Sequence, residues 1–91
     1  MATISSDILA SYAADAAREV EGVRGLRRHK GVRISEDEGG VRVELHLEVE
    51  WGASIPDVGR AVQRRVAGYL EQMAKVDPAA VDVIVDEIGP S

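Results

Sequence analysis

The sequence predicts an α+β fold, a two-layer sandwich in which a three-stranded mixed sheet carries two helices on one face. Three features predict it. Apolar and polar residues alternate without a break from Val41 to Trp51, a segment with four-residue apolar periodicity lies on either side of that run, and a polar, glycine-ended stretch at 36–40 precedes it.

The first helix should start near Asp7, with Ser5 or Ser6 capping it and the Asp7 carboxylate facing the positive end of the helix dipole. Ile8, Tyr12, Ala16 and Val20, with Leu9, Ala13 and Ala17 beside them, form its apolar stripe, and Gly22 supplies a left-handed stop. A basic loop follows. Val32 and Ile34 then alternate with Arg33 and Ser35 as a short strand, and Glu36-Asp37-Glu38-Gly39-Gly40 turns the chain into a hairpin. In the next strand Val41, Val43, Leu45, Leu47, Val49 and Trp51 face the core, while Arg42, Glu44, His46, Glu48 and Glu50 face water.

Ser54-Ile55-Pro56-Asp57 starts the second helix: serine caps, proline tolerates the first turn, and aspartate sits at the capping-box distance. Val58, Ala61, Val62, Val66, Tyr69, Leu70 and Met73 make its stripe, and the helix should end before Asp77-Pro78. Val81 to Ile88 closes the domain as a strand with Val81, Val83 and Val85 on one face. The order is α-β-β-α-β, and the helix between the last two strands makes them parallel. Ninety-one residues suit one domain with no internal repeat or linker, spanning 1–91.

The chain is 45% hydrophobic and 30% charged, ordinary globular balance, with only three aromatic residues, too few for a base-stacking platform. It has no cysteine, which excludes disulfides and thiolate chemistry. Residues 1–7 show no basic stretch followed by a long apolar run, so neither a leader nor a membrane span is read, and a cytoplasmic location is the default expectation. The net charge of −5 is unevenly placed. Arg24, Arg27, Arg28, Lys30 and Arg33 form a +5 segment without an acid, leaving 6 bases against 16 acids elsewhere. Such a cluster suits an acidic protein surface, a headgroup layer or a nucleic-acid backbone. The acidic outer strand face, Glu44, Glu48 and Glu50, is its natural complement on a second copy, a head-to-tail contact that builds filaments when it does not close.

Catalytic constellations are missing. Ser54 reads as a cap and Ser35 as a strand residue, no G-x-S-x-G, Walker or dinucleotide motif occurs, and His29 has no carboxylate partner nearby in sequence. Glu44, His46 and Glu48 share a strand face, but two-residue spacing separates neighbours by about 7 Å, wide for a shared tetrahedral ion. No enzyme activity, metal or cofactor is expected. Gly22-Val23-Arg24-Gly25 matches the G-x-x-G of KH domains, which gives an alternative reading as a nucleic-acid-binding domain using that turn and the basic loop. A net acidic chain disfavours it, as does a helix-to-strand rather than helix-to-helix setting.

Several segments together resemble the alkaline shock protein family over nearly the whole chain. Glu19-Val20-Glu21-Gly22-Val23-Arg24-Gly25 is similar to its E-V-x-G-V-x-G signature, and Val49-Glu50-Trp51-Gly52-Ala53-Ser54-Ile55-Pro56-Asp57-Val58 to its V-x-Y-G-x-x-I-P-x-V segment. Val62-Gln63, then Val66, Leu70, Glu71 and Met73, resemble its second helix, and Val81 to Val85 its V-x-V-x-V strand. Trp51 stands where tyrosine is usual, and the stretch from Gly25 to Gly31 is shorter than in many members. The resemblance implies a non-catalytic protein of the envelope or alkaline stress response. Such a protein is cytoplasmic and, in some members, is recruited to the inner face of the membrane by a small membrane-anchored partner and able to self-assemble.

Overall fold

A computed structural model describes residues 5–89. Residues 1–4 of the stretch read above for a leader lie outside the described residues, as do residues 90–91. The elements are α1 (Ser6–Arg18), β1 (Val23–Leu26), β2 (Val32–Asp37), β3 (Gly40–Glu50), α2 (Ile55–Ala74) and β4 (Ala80–Gly89). The α+β class and the two-layer arrangement are as predicted. Among the described residues the sheet has four strands, not three, and the order is α-β-β-β-α-β.

The extra strand is β1, four residues drawn from the start of the predicted basic loop. It pairs antiparallel with β3 through Val23↔Val49, Gly25↔Glu48 and Leu26↔Leu47, with Arg24 displaced at a bulge. β2 pairs antiparallel with β3 further along, from Val32↔Leu45 to Asp37↔Gly40. β4 runs parallel to β3 from Arg42↔Ala80 to Glu50↔Gly89 and fills its other edge. β1 and β2 therefore lie end to end on one edge of β3, as a single lane interrupted opposite His46. The His46 N–H donates to the Gly31 carbonyl at 2.8 Å and its carbonyl accepts from Arg27 N–H at 3.0 Å. Residues 27–31 thus leave the sheet and return to it at one position of β3, with no backbone bond of that position lost.

The core is one layer thick. Val43, Leu45, Leu47 and Val49 of β3 are fully buried against Leu9, Ala13, Ala16 and Ala17 of α1 and Val58, Val62, Val66 and Leu70 of α2. Each fully buried valine or leucine is worth about 1.5–3 kcal/mol of transfer free energy. The α1 stripe is turned slightly from the predicted one: Leu9 is at its centre and Ile8 is exposed. Two further residues expected inside are exposed, Met73 in the last turn of α2 and Trp51. β3 ends at Glu50, so Trp51 belongs to the turn that follows, where its N–H donates to the Gly89 carbonyl at 2.9 Å and its ring leaves the sheet's alternation. Alanines along α1 let the two helices approach closely, and Tyr12 and Tyr69 close the gap as an edge-to-face pair with centroids 5.8 Å apart.

The caps follow the sequence. Ser5 accepts from Ile8 N–H at 3.2 Å and Ser54 from Asp57 N–H at 3.4 Å. α2 stops at Lys75, whose left-handed backbone returns its N–H to Leu70 and Glu71 carbonyls, so the helix ends before the proline takes effect. α1 ends at Arg18, earlier than Gly22, through successive tight turns. Gly22, at φ +95°, then swings the chain into β1, and a Cβ there would lie 2.8 Å from the Val58 methyl of α2.

Two glycines should therefore respond in opposite directions. Gly22→Ala meets both a left-handed backbone and a clash, and should destabilise the domain by about 1–3 kcal/mol in urea unfolding. Gly59→Ala, in the interior of α2 with nothing within 4 Å of the added carbon, should stabilise it by about 0.5–1 kcal/mol.

Candidate interaction surface

The helices cover one face of the sheet; the other is open. From β2 it presents Arg33 and Ser35, from β3 Arg42, Glu44, His46, Glu48 and Glu50, and from β4 Asp82, Ile84 and Asp86, all exposed or half-buried. Strand alternation puts them there, Asp86 included, and the register adds Glu87 opposite Glu48. The β3–β4 register skips it, from Leu47↔Val85 to Glu48↔Glu87, so Asp86 is a bulge residue.

Asp86 sets a carboxylate at the centre of the face. Both Asp86 oxygens lie 3.1 Å from His46 Nδ1, and Glu44 Oε2 lies 2.8 Å from His46 Nε2. The imidazole side chain is only 12% exposed. With a carboxylate at each nitrogen, both bonds are made only when both nitrogens carry protons. Hydrogen bonding to Asp86, then to Glu44, accordingly raises the His46 pKa above the ordinary histidine value, against the opposing pull of burial and the Arg27 charge. His46 in turn holds the Asp86 carboxyl below its ordinary value, outweighing burial, and Arg27 adds to the effect.

Arg27 extends this network into the loop. Its Nη1 donates to Asp86 Oδ2 at 3.1 Å, its Nε to the His29 carbonyl at 2.9 Å and its Nη2 to the Lys30 carbonyl at 3.1 Å. One guanidinium thus folds the loop and ties it to β4. Gly31 is required beneath it, because a Cβ there would strike the Arg27 carbonyl.

The predicted site residues divide accordingly. Arg27 is engaged internally. Arg24 reaches to β4, where its guanidinium lies against Gly89. Arg33 stands opposite Glu44 in the β2–β3 register. Arg28 and Lys30 project from the loop exposed, and neither forms an ion pair among the described residues. Glu44 is committed to His46, while Glu48 and Glu50 lie further along β3, toward β1. The basic loop and the acidic strand face are therefore neighbours on one surface, linked through Asp86 of β4, which pairs with both Arg27 and His46. Gly25 lies inside β1 rather than in a loop between helices, unlike the setting of a KH turn. No group of three or more His, Cys, Asp or Glu among the described residues is arranged to hold a metal ion.

Asp86 is the residue that sequence reasoning missed. Its signal was the alternation itself, which puts Asp86 on the face of Asp82 and Ile84, while the bulge is marked by a change of phase, since the inward residue after Val85 is Ile88, three positions on instead of two.

Open sheet face, ion network and protruding loop define a small α+β domain whose most elaborated feature is a surface and not a cavity. Among the described residues no helix is long and apolar enough to cross a membrane. The chain belongs to the alkaline shock protein family, described by a cell envelope-related function, whose model it matches over residues 1–90. It is 28% identical over 98 residues to Spy1535, an uncharacterized protein of Streptococcus pyogenes, covering 93% of this chain and 76% of the relative. Among solved structures it is similar to MamM CTD variants. One superposes with TM-score 0.73 at 18% identity, covering 97% of this chain and 95% of the other, and a second with TM-score 0.72 at 17% identity, covering 91% and 94%. At that identity the likeness is one of fold.

The ion network sets a pH dependence. A raised His46 pKa contributes stability that is complete below the unfolded value of about 6.5 and is lost as pH rises through the folded value. A lowered Asp86 pKa contributes stability present above about 3.9 and lost as pH falls through its folded value. The melting-temperature gap between the natural chain and His46→Gln should thus be widest between about pH 4 and 6.5 and narrow toward pH 9. A gap that stays constant across that range would contradict the assigned geometry.

Proposed function

We propose that this chain is a non-catalytic interaction module of the cell envelope, bound at the inner face of the membrane by a small membrane-anchored protein and able to associate with its own copies. The observation that carries the reading is the clamp of Arg27 on Asp86, which holds the 27–31 loop in one shape beside an uncovered sheet face. A loop ordered in advance loses less conformational entropy when a partner binds. It presents Arg28 and Lys30, unpaired among the described residues, with Arg24 and Arg33 behind them and Glu48 and Glu50 beyond, a mixed-charge surface suited to recognition by complementary charge. The family's envelope-related description supports the setting.

Against catalysis stands the state of the best-placed titratable group. While the imidazole is protonated, both its ring nitrogens donate to carboxylates, so neither is open to take a substrate proton. The nucleic-acid alternative draws on the same cations, but the face they share also carries Glu44, Glu48, Glu50, Asp82 and Asp86, which would repel a phosphate backbone.

Binding to membranes from the producing cell, before and after protease treatment of those membranes, tests the proposal. The natural chain should sediment with untreated membranes and not with proteolysed ones, because the anchor is a protein. Arg28→Glu with Lys30→Glu should weaken sedimentation by roughly tenfold at low salt without changing thermal stability. Unchanged sedimentation of the double variant, or binding that survives proteolysis, would overturn the reading. Light scattering at low and high salt tests self-association: a mass that never exceeds one chain removes that part of it.

A further inference from the structure

We propose that the free edge of β4 docks an extended, basic segment of a partner polypeptide as an additional strand. This rests on the chain's being an interaction module but concerns a different surface from the loop. β4 is ten residues long and, among the described residues, pairs only with β3. Long unpaired edges bind other strands unless something blocks them.

Beside this edge runs a groove lined on the helix side by Ile55, Pro56, Gly59, Arg60 and Gln63, and on the sheet side by Val83 and Val85. Ile55, in the groove wall, and Ile88, further along β4 on the helix side, remain 39% and 43% exposed. Gly59 is the telling residue in the wall. Glycine inside a helix costs about 1 kcal/mol relative to alanine, and among the described residues nothing comes within 4 Å of the place a side chain would take. The missing side chain keeps the groove open for another backbone to approach. Gln63, from the same wall, already donates to the Val81 carbonyl at 3.0 Å, so β4 backbone accepts hydrogen bonds from this side.

Charge selects the occupant. The ionisable residues of β4 are Asp82, Asp86 and Glu87, all acidic. Asp86 is neutralised by His46 and Arg27, while Asp82 and Glu87 form no ion pair among the described residues. Two copies joined antiparallel through β4 would bring these carboxylates together across the new ladder, which is destabilising. A strand alternating lysine or arginine with apolar residues would meet carboxylates with its cations and the groove with its apolar side chains.

The test is an NMR titration of the full chain with a capped octapeptide alternating lysine and valine, and with its glutamate–valine counterpart. The lysine peptide should shift amides of β4 and of residues 55–63, and bind roughly tenfold or more tightly than the glutamate peptide at low salt. Gly59→Leu fills the groove while improving helix propensity, so it should abolish binding with the fold intact. Asp82→Lys with Glu87→Lys should reverse the peptide preference. Equal binding of the two peptides, shifts confined to the loop and outer face, or an unaffected Gly59→Leu would overturn the proposal. So would slowing of β4 amide exchange with protein concentration alone, which would make the occupant a second copy. If the peptide fails while loop-dependent membrane sedimentation persists, the edge assignment falls and the interaction-module reading stands.

Discussion

Everything in this domain is built on β3. Among the described residues each other strand pairs with it alone: β1 and β2 share one edge and β4 takes the other. Its inward row, Val43, Leu45, Leu47 and Val49, is the floor on which both helices rest. The strand's strict alternation therefore settles two surfaces at once, since any residue moved by one position would exchange core for water. The row facing water inherits a fixed spacing from the row facing the core, and the charged network is positioned by hydrophobic packing.

Where an alternation or a cap dominates, local pattern was sufficient to read the fold. The alternation of β3, the Ser54-Pro56-Asp57 start of α2 and the valines of β4 each have a local physical cause that acts wherever the segment sits. β1 had none. Four residues containing Gly25 and a bulged Arg24 carry no periodicity, and they form a strand only because β3 extends past the end of β2 and offers Leu47 to Val49 an unpaired edge. That is tertiary context overriding a weak local signal. The sheet gained a strand for this reason, and the predicted loop shrank to residues 27–31.

The candidate surface was half legible for a related reason. Charge composition located the cations of the loop and the acids of β3. It could not show that they lie side by side, because their adjacency depends on the interrupted lane opposite His46. Nor could it show that Asp86, 59 residues from Arg27, meets Arg27 and His46, because that contact depends on the pairing of β4 with β3. Two segments that looked like opposite poles of a molecule are instead tied together across two strands and the loop, from Glu44 through His46 and Asp86 to Arg27. What remains after that internal pairing, chiefly Arg28, Lys30, Glu48 and Glu50, is the part left for a partner.

The claim at the centre of this account is that Asp86 fastens the loop to the sheet. Amide hydrogen exchange in Asp86→Asn measures it directly. Protection should fall by roughly tenfold at Arg27 and at His46, whose amides bound the loop, while the amides of Leu45 and Leu47 keep theirs. Unchanged protection at Arg27 would show that the loop holds its shape without the carboxylate, and loss spreading through β3 would show that Asp86 supports the fold and not the surface.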